Sequence, residues 1–248
     1  MSPSEPEVGF YGKLPFKGDF LQRRVPQEFV DAWDAWLQHC LHESREQLKE
    51  AWLDAYLTGP IWRFVLAGGV CGPDGYVGVL VPSVDRVGRY FPLTVVARLD
   101  EGHCPLDVAC SGNGWFEAAE AVALGALEAA DMDIDDFDDQ VGKLGAYLPA
   151  PLPSPAVGSV GGANVAAALG LIAAMEPGPR RVTLAAAGAL QRAVNVLAYE
   201  HLTRDLQPVA LWWSDGSSTM EPCWLSTRGL PDSRGFTAML SVKVTQPS

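Results

Sequence analysis

The residues best suited to chemistry in this 248-residue chain lie in one short break between two apolar runs, "VPSVDRVGRYFPLTVVARL" (81–99). Asp85, Arg86 and Arg89 fall within five residues there, beside Ser83. A hydrolytic assignment would make Ser83 the nucleophile, Asp85 its base and Arg86 or Arg89 an oxyanion clamp. Residues two apart beside a strand point alike without converging, so Asp85 is poorly placed to activate Ser83. Arginine forks and an aspartate can instead satisfy one another and the free carbonyls of a crossing loop. Recognition is compatible with that, because arginine beside Tyr90 and Phe91 is the residue type enriched at binding hot spots. Clamp and recognition surface together fit the stretch better than catalysis does.

Other candidate chemistries are weaker. In "DMDIDDFDDQVG" (131–142) the carboxylates Asp131, Asp133 and Asp135 imitate the first positions of a calcium loop. Position six is Asp136 where glycine is required, and position twelve is Gly142 where a bidentate glutamate is required. A helix amino terminus with Ile134, Phe137 and Val141 as its buried stripe explains the segment better. "VGSVGGANV" (157–165) is glycine-rich before a helix-like run, but it lacks G-x-G-x-x-G spacing and a Lys-Ser/Thr pair. No G-x-S-x-G elbow occurs, and the four histidines have no sequence-local catalytic partner. His39, Cys40 and His42, or His103, Cys104 and Cys110, lack the paired spacing of a zinc site. No cofactor or metal is expected.

The charge balance narrows the partners. The chain carries a net charge of -12, and no Lys/Arg cluster stands out against that field. Nucleic acid and anionic lipid surfaces are therefore disfavoured partners. "MSPSEPEVGF" has neither a basic n-region nor an apolar h-region, so no secretory leader is expected. The longest clean apolar run, 165–175, is far short of the roughly 20 residues a spanning helix needs, so no membrane insertion is expected. Five scattered cysteines suit reduced thiols in a cytoplasm better than a disulfide framework.

These residues must be positioned by elements readable from periodicity. "VGFYGKLPFKGDF" (8–20) opens as a short strand and breaks into a loop at Gly12, Pro15 and Gly18. Pro26 and Glu28 suit a helix start, and Phe29, Trp33, Trp36, Leu37 and Cys40 recur at helical spacing. Ser44 with Gln47 forms a capping-box pattern, predicting a second helix with Leu48, Trp52 and Tyr56 on one face and an end at Gly59-Pro60. Strands are predicted near 61–70, 76–83 and 90–99, the first two joined by the turn formers of 71–75. Short linkages of that kind argue for an antiparallel meander, with the 26–58 helices on one face. Trp33, Trp36, Trp52 and Trp62 fall on core positions. An alanine-rich helix follows at about 115–130, capped by Asn113.

The proline-rich stretch "LPAPLPSPAVGSVGGAN" (148–164) is the best boundary, a linker between a domain at 1–147 and a carboxy-terminal helix-hairpin subdomain at 165–248 packed on the first. The latter is expected to hold an apolar helix at 164–175, a longer one starting at Thr183, and a hairpin of "PVALWWS" and "EPCWLST" around Asp215-Gly216.

The strings "GFYGKLPFKGDF", "WDAWLQ", "GPIWRFVLAGGV", "GVLVPSVDRVGRYFPLTV" and "LWWSDGS…LSTRGLP" occur in this order. They closely resemble the signatures of the TagF proteins associated with bacterial type VI secretion. The likeness is strongest over 9–99 and weakest over 131–182. It implies an α/β (α+β) fold with a mainly antiparallel, helix-flanked, longin-like sheet, in agreement with the meander. It further implies a cytoplasmic, non-enzymatic negative regulator that restrains the apparatus after translation by binding a forkhead-associated-domain scaffold protein. Some relatives are fused to a phosphatase domain, and no metal-binding phosphatase motif is read here. Within the matching strings, the candidate partner-binding or signature-loop residues are Lys13, Asp19, Arg63, Ser83, Asp85, Arg86, Arg89 and Tyr90. The competing expectation is a hydrolase or phosphate-handling enzyme built around Lys13, Asp85, Arg86 and Arg89. Convergence of those side chains on an open pocket would favour it, and internal salt bridges would not.

Overall fold

The computed structural model describes residues 7–99, 103, 105–129, 132–148 and 208–240. They form a seven-stranded sheet in the order β2-β1-β5-β4-β3-β6-β7, with every pairing antiparallel. Its strands are β1 (Val8–Gly12), β2 (Leu21–Arg23), β3 (Trp62–Leu66), β4 (Gly75–Val81), β5 (Leu93–Leu99), β6 (Val209–Ser214) and β7 (Cys223–Arg228). The predicted meander is β3-β4-β5, in register from Trp62 opposite Leu80 to Val81 opposite Leu93. β2 was not anticipated. It folds the loop after β1 back along that strand, with Phe10 opposite Arg23.

Helices cover both faces. On one lie α1 (Gln27–Leu48), α2 (Trp52–Leu57) and α6 (Ser233–Leu240). On the other lie α4 (Asn113–Glu128) and α5 (Ile134–Lys143), with α3 (Pro105–Ser111) running against β3. This explains why β3 and β4 read as nearly continuous apolar runs: neither face of the central sheet meets water, so both alternating sets are apolar apart from Arg63. Phe64, Leu66, Tyr76, Leu80 and Val96 point to the α1 side, while Val65, Val77, Val79 and Val95 point to the α4 side. Gly78 is needed for a different reason. A Cβ there would stand 2.3 Å from Phe64 Cζ, so the ring lies directly against bare backbone.

The four tryptophans expected in the core are there, and each of their indole N–H groups finds an acceptor, as a buried one usually does. Trp33 donates to Thr94 Oγ1 at 2.9 Å, Trp36 to the Pro231 carbonyl at 2.7 Å, Trp52 to Ser44 Oγ at 2.9 Å and Trp62 to the Met239 carbonyl at 3.0 Å. Two of these bonds pin the segment around α6 to the α1 face.

Two predicted helix starts differ. The capping box at Ser44 does not exist: α1 continues to Leu48, since Leu37, Cys40, Leu41, Ser44 and Leu48 keep one buried stripe. Ser44 Oγ instead bonds the Leu41 carbonyl and receives Trp52 Nε1. The break falls later, at Lys49, whose φ of 49° leads into a 3₁₀ turn before α2. Asn113 is the first residue of α4 and not its cap, because α3 ends at Ser111 and only Gly112 separates the two. The acidic segment behaves as expected of a helix start: the Asp133 side chain accepts from Asp135 N, and Phe137 and Val141 are fully buried.

The predicted linker from 149 onward and the helices near 164–175 and from Thr183 lie outside the described residues. The hairpin beyond them joins the sheet directly: β6 pairs with β3, Arg63 opposite Trp213, and β7 follows β6 at the edge. No described helix is long and apolar enough to cross a membrane.

Candidate functional site

The opening stretch folds as a small hairpin extension bracketed by two prolines. Pro82, just past β4, and Pro92, just before β5, have no N–H to give a ladder. Between them Val84 bridges Tyr90, Phe91 N donates to the Ser83 carbonyl at 3.1 Å, and Asp85 N donates to the Arg89 carbonyl at 3.0 Å. That leaves a three-residue tip of Arg86, Val87 and Gly88, with Gly88 N bonded to the Asp85 carbonyl at 3.0 Å. Gly88 has φ +84°, the left-handed position such loops require after their turn.

Asp85 is the hub. Its Oδ1 accepts Val87 N at 2.9 Å and Arg89 N at 2.8 Å, an Asx-type closure of the tip. Its Oδ2 accepts Lys13 Nζ and Arg89 Nε, each at 2.7 Å. The carboxylate is sealed from solvent, with Asp85 4% and Lys13 3% exposed. Burial pushes its pKa upward, but the bonds from Lys13, from Arg89 and from two backbone amides win, and hold it well below the usual carboxylate range.

Lys13 arrives from the loop after β1 and lies with Nζ 4.7 Å from the Phe20 ring centre. Its carbonyl accepts Ser83 Oγ at 2.7 Å. Ser83 is therefore turned away from Asp85 and engaged elsewhere. Tyr56 of α2 grips the same residue from the other side, its hydroxyl accepting Ser83 N at 3.1 Å and donating to the Ser83 carbonyl at 2.9 Å. Tyr90 stands edge-on to Trp52 and Tyr56, with ring centres 5.5 and 5.7 Å away. Arg89 extends the clamp to the 15–20 loop through the Gly18 carbonyl, and Arg86 N adds a bond to the Lys17 carbonyl at 3.2 Å.

Of the eight candidates, Lys13, Ser83, Asp85, Arg89 and Tyr90 thus form one interlocked unit. Arg86 belongs to its backbone, but its side chain faces solvent. Asp19 is exposed in the neighbouring loop. Arg63 lies apart, on the α4 face. Its guanidinium takes Glu120 in a bidentate grip at 2.6 and 3.0 Å, bonds Asn113 at 3.2 Å and pairs with Asp215 at 2.9 Å, tying α4 to the β6–β7 loop. Tyr56 was missed as a site residue because its helical spacing reads only as core. An open cavity of about 980 Å³ beside the β6–β7 loop, and another of about 490 Å³ beside α5, are lined by other residues. Among the described residues no cluster of three or more His, Cys, Asp or Glu could hold a metal ion.

A family model described as the TagF N-terminal domain, type VI secretion system-associated, matches residues 9–144, a span holding both loops of the clamp. The crystal structure of PA0076 from Pseudomonas aeruginosa PAO1 superposes with a TM-score of 0.71 at 34% sequence identity, covering 96% of this chain and 95% of that one. No curated protein matches.

Proposed function

This chain belongs to the TagF family of type VI secretion system-associated proteins, and from that membership we propose a stoichiometric, non-enzymatic negative regulator of the secretion apparatus. It acts in the cytoplasm, after translation, by binding a forkhead-associated-domain scaffold protein of the system. The observation that carries binding over catalysis is the state of the signature loop. Lys13 and Arg89 are both paired with Asp85, Ser83 is held by backbone, and neither cavity described above is lined by any of them. A hydrolase needs its base free and within reach of the nucleophile. Here the charged groups are engaged in holding a loop rigid, which suits a surface that must present one shape.

The test has a cellular and a purified arm. Deleting the gene should raise secretion of the apparatus's own substrates without changing the amount of scaffold protein, and overproduction should lower it. Purified protein should bind the purified scaffold at a fixed ratio. Unaltered secretion in both strains, or no binding of the scaffold, would overturn the proposal.

A further inference from the structure

The clamp leaves an outward surface that its own architecture does not need. Arg86 and Val87 occupy the apex of the tip, Val87 being 64% exposed. Among the described residues the Arg86 side chain makes no hydrogen bond or ion pair, and neither does that of Lys17, exposed on the adjoining loop. Phe20, 48% exposed, lies on the same loop with its ring against Tyr11 and Phe91. Isolated exposed apolar residues are ordinary, but here Phe20 shares its loop with Lys17 and Val87 adjoins Arg86 in the chain. The two loops are bonded to each other through the Lys17 and Gly18 carbonyls, so this surface is rigid before anything binds. Its charge is also exceptional. Lys13, Lys17, Arg86 and Arg89 outnumber Asp19 and Asp85 by two, on a chain whose net charge is -12.

We propose that Lys17, Phe20, Arg86 and Val87 are a docking surface for an acidic segment of a partner protein, one that sets an apolar side chain among its carboxylates. This rests on the binding function proposed above and assigns it a place and a partner chemistry. The long cations attract and orient carboxylates, Arg86 as a fork free to take one bidentately. Phe20 and Val87 supply the exposed apolar surface of the two loops. The acidic remainder of the molecule repels the same partner elsewhere, so association is confined to this end. Arg89 differs from Arg86 in being committed to Asp85 and Gly18.

The test uses a fluorescein-labelled glutamate-rich peptide with one central leucine, followed by anisotropy at low and at raised salt. The full-length protein should bind it at low salt and release it as salt screens the cations. Arg86→Glu, Lys17→Glu and Val87→Asp should each weaken binding about tenfold or more while melting like the parent. Arg98→Glu, a control at a cation already paired with Asp74, should bind normally. No peptide binding by the parent protein, or equal binding by Arg86→Glu and Lys17→Glu, overturns the docking surface. The purified scaffold serves as a second probe. If the parent binds scaffold and the variants bind it equally, the surface is wrong and the regulatory reading stands. If the peptide binds as expected but the parent ignores the scaffold, the regulatory reading is wrong and the acidic-segment site stands.

Discussion

Replacing Asp85 by Asn isolates the charge of the hub while keeping its shape. The new amide oxygen can still accept Val87 N and Arg89 N, so the tip retains its closure. Its NH₂ group, however, faces Lys13 Nζ and Arg89 Nε, donor against donor. Arg89 can turn to water, being 57% exposed in its side chain, and adds little to the loss. Lys13, with 4% of its side chain exposed, cannot, so an ammonium is left buried without its counter-charge. Breaking a buried pair from one side costs about 3–5 kcal/mol. For a chain of this size about 2–4 °C of melting temperature accompany each kcal/mol, so a fall of roughly 6–20 °C is expected. Urea unfolding monitored by tryptophan fluorescence gives the free energy directly. Adding Lys13→Met should recover part of the loss, with a coupling of about 1–3 kcal/mol between the two positions. The pH dependence has a definite sign. Because folding lowers the Asp85 pKa, its contribution is fully present above the ordinary aspartate value of about 4 and is lost as pH falls through the lowered one. The gap between parent and Asp85→Asn should therefore narrow only under acid, below about pH 4. A variant within about 1 kcal/mol of the parent at neutral pH, or strict additivity with Lys13→Met, would refute the reasoning.

The two arginines should separate cleanly. Arg89→Ala removes a partly exposed bond to Asp85 and the tie to Gly18, and should cost about 1 kcal/mol in denaturant. Arg86→Ala should stay within about 0.5 kcal/mol of the parent yet weaken scaffold binding by about 2 kcal/mol in calorimetry, and the reverse pattern would exchange their roles. Trp33→Ala should lose about 3–5 kcal/mol, since its ring is fully buried among Phe29, Phe64, Trp36 and Trp212; a melting point within a degree or two of the parent would contradict that packing. Tyr56→Phe deletes the acceptor of Ser83 N and should cost about 1–3 kcal/mol by urea unfolding, an unchanged midpoint showing that water replaces the hydroxyl.

Local physics made a good part of this protein legible in its sequence. Period-two and period-3.6 patterns act between near neighbours, so the β3-β4-β5 meander, the tryptophan stripe of α1 and the Asp133-started helix could be read directly. The pairing of Asp85 with an arginine of its own loop was readable too, because the two lie within four residues, whereas the closure of the tip on Val87 N and Arg89 N was not foreseen. Capping motifs misled where a buried stripe ran through them: Ser44 matches a helix start, but continued burial outweighs one capping bond. What the tertiary structure alone decided are the contacts that span long sequence distances. Lys13 reaches Asp85 across 72 positions, Tyr56 reaches Ser83 across 27, and β6 joins β3 although the stretch that intervenes includes α3, α4 and α5. No local pattern encodes such partners, since any buried carboxylate needs a cation but does not specify which one. The same holds for the division of labour between Arg86 and Arg89. Three positions apart in one loop, they carry the same chemistry, and only the direction each side chain takes from the folded tip makes one a clamp and leaves the other free.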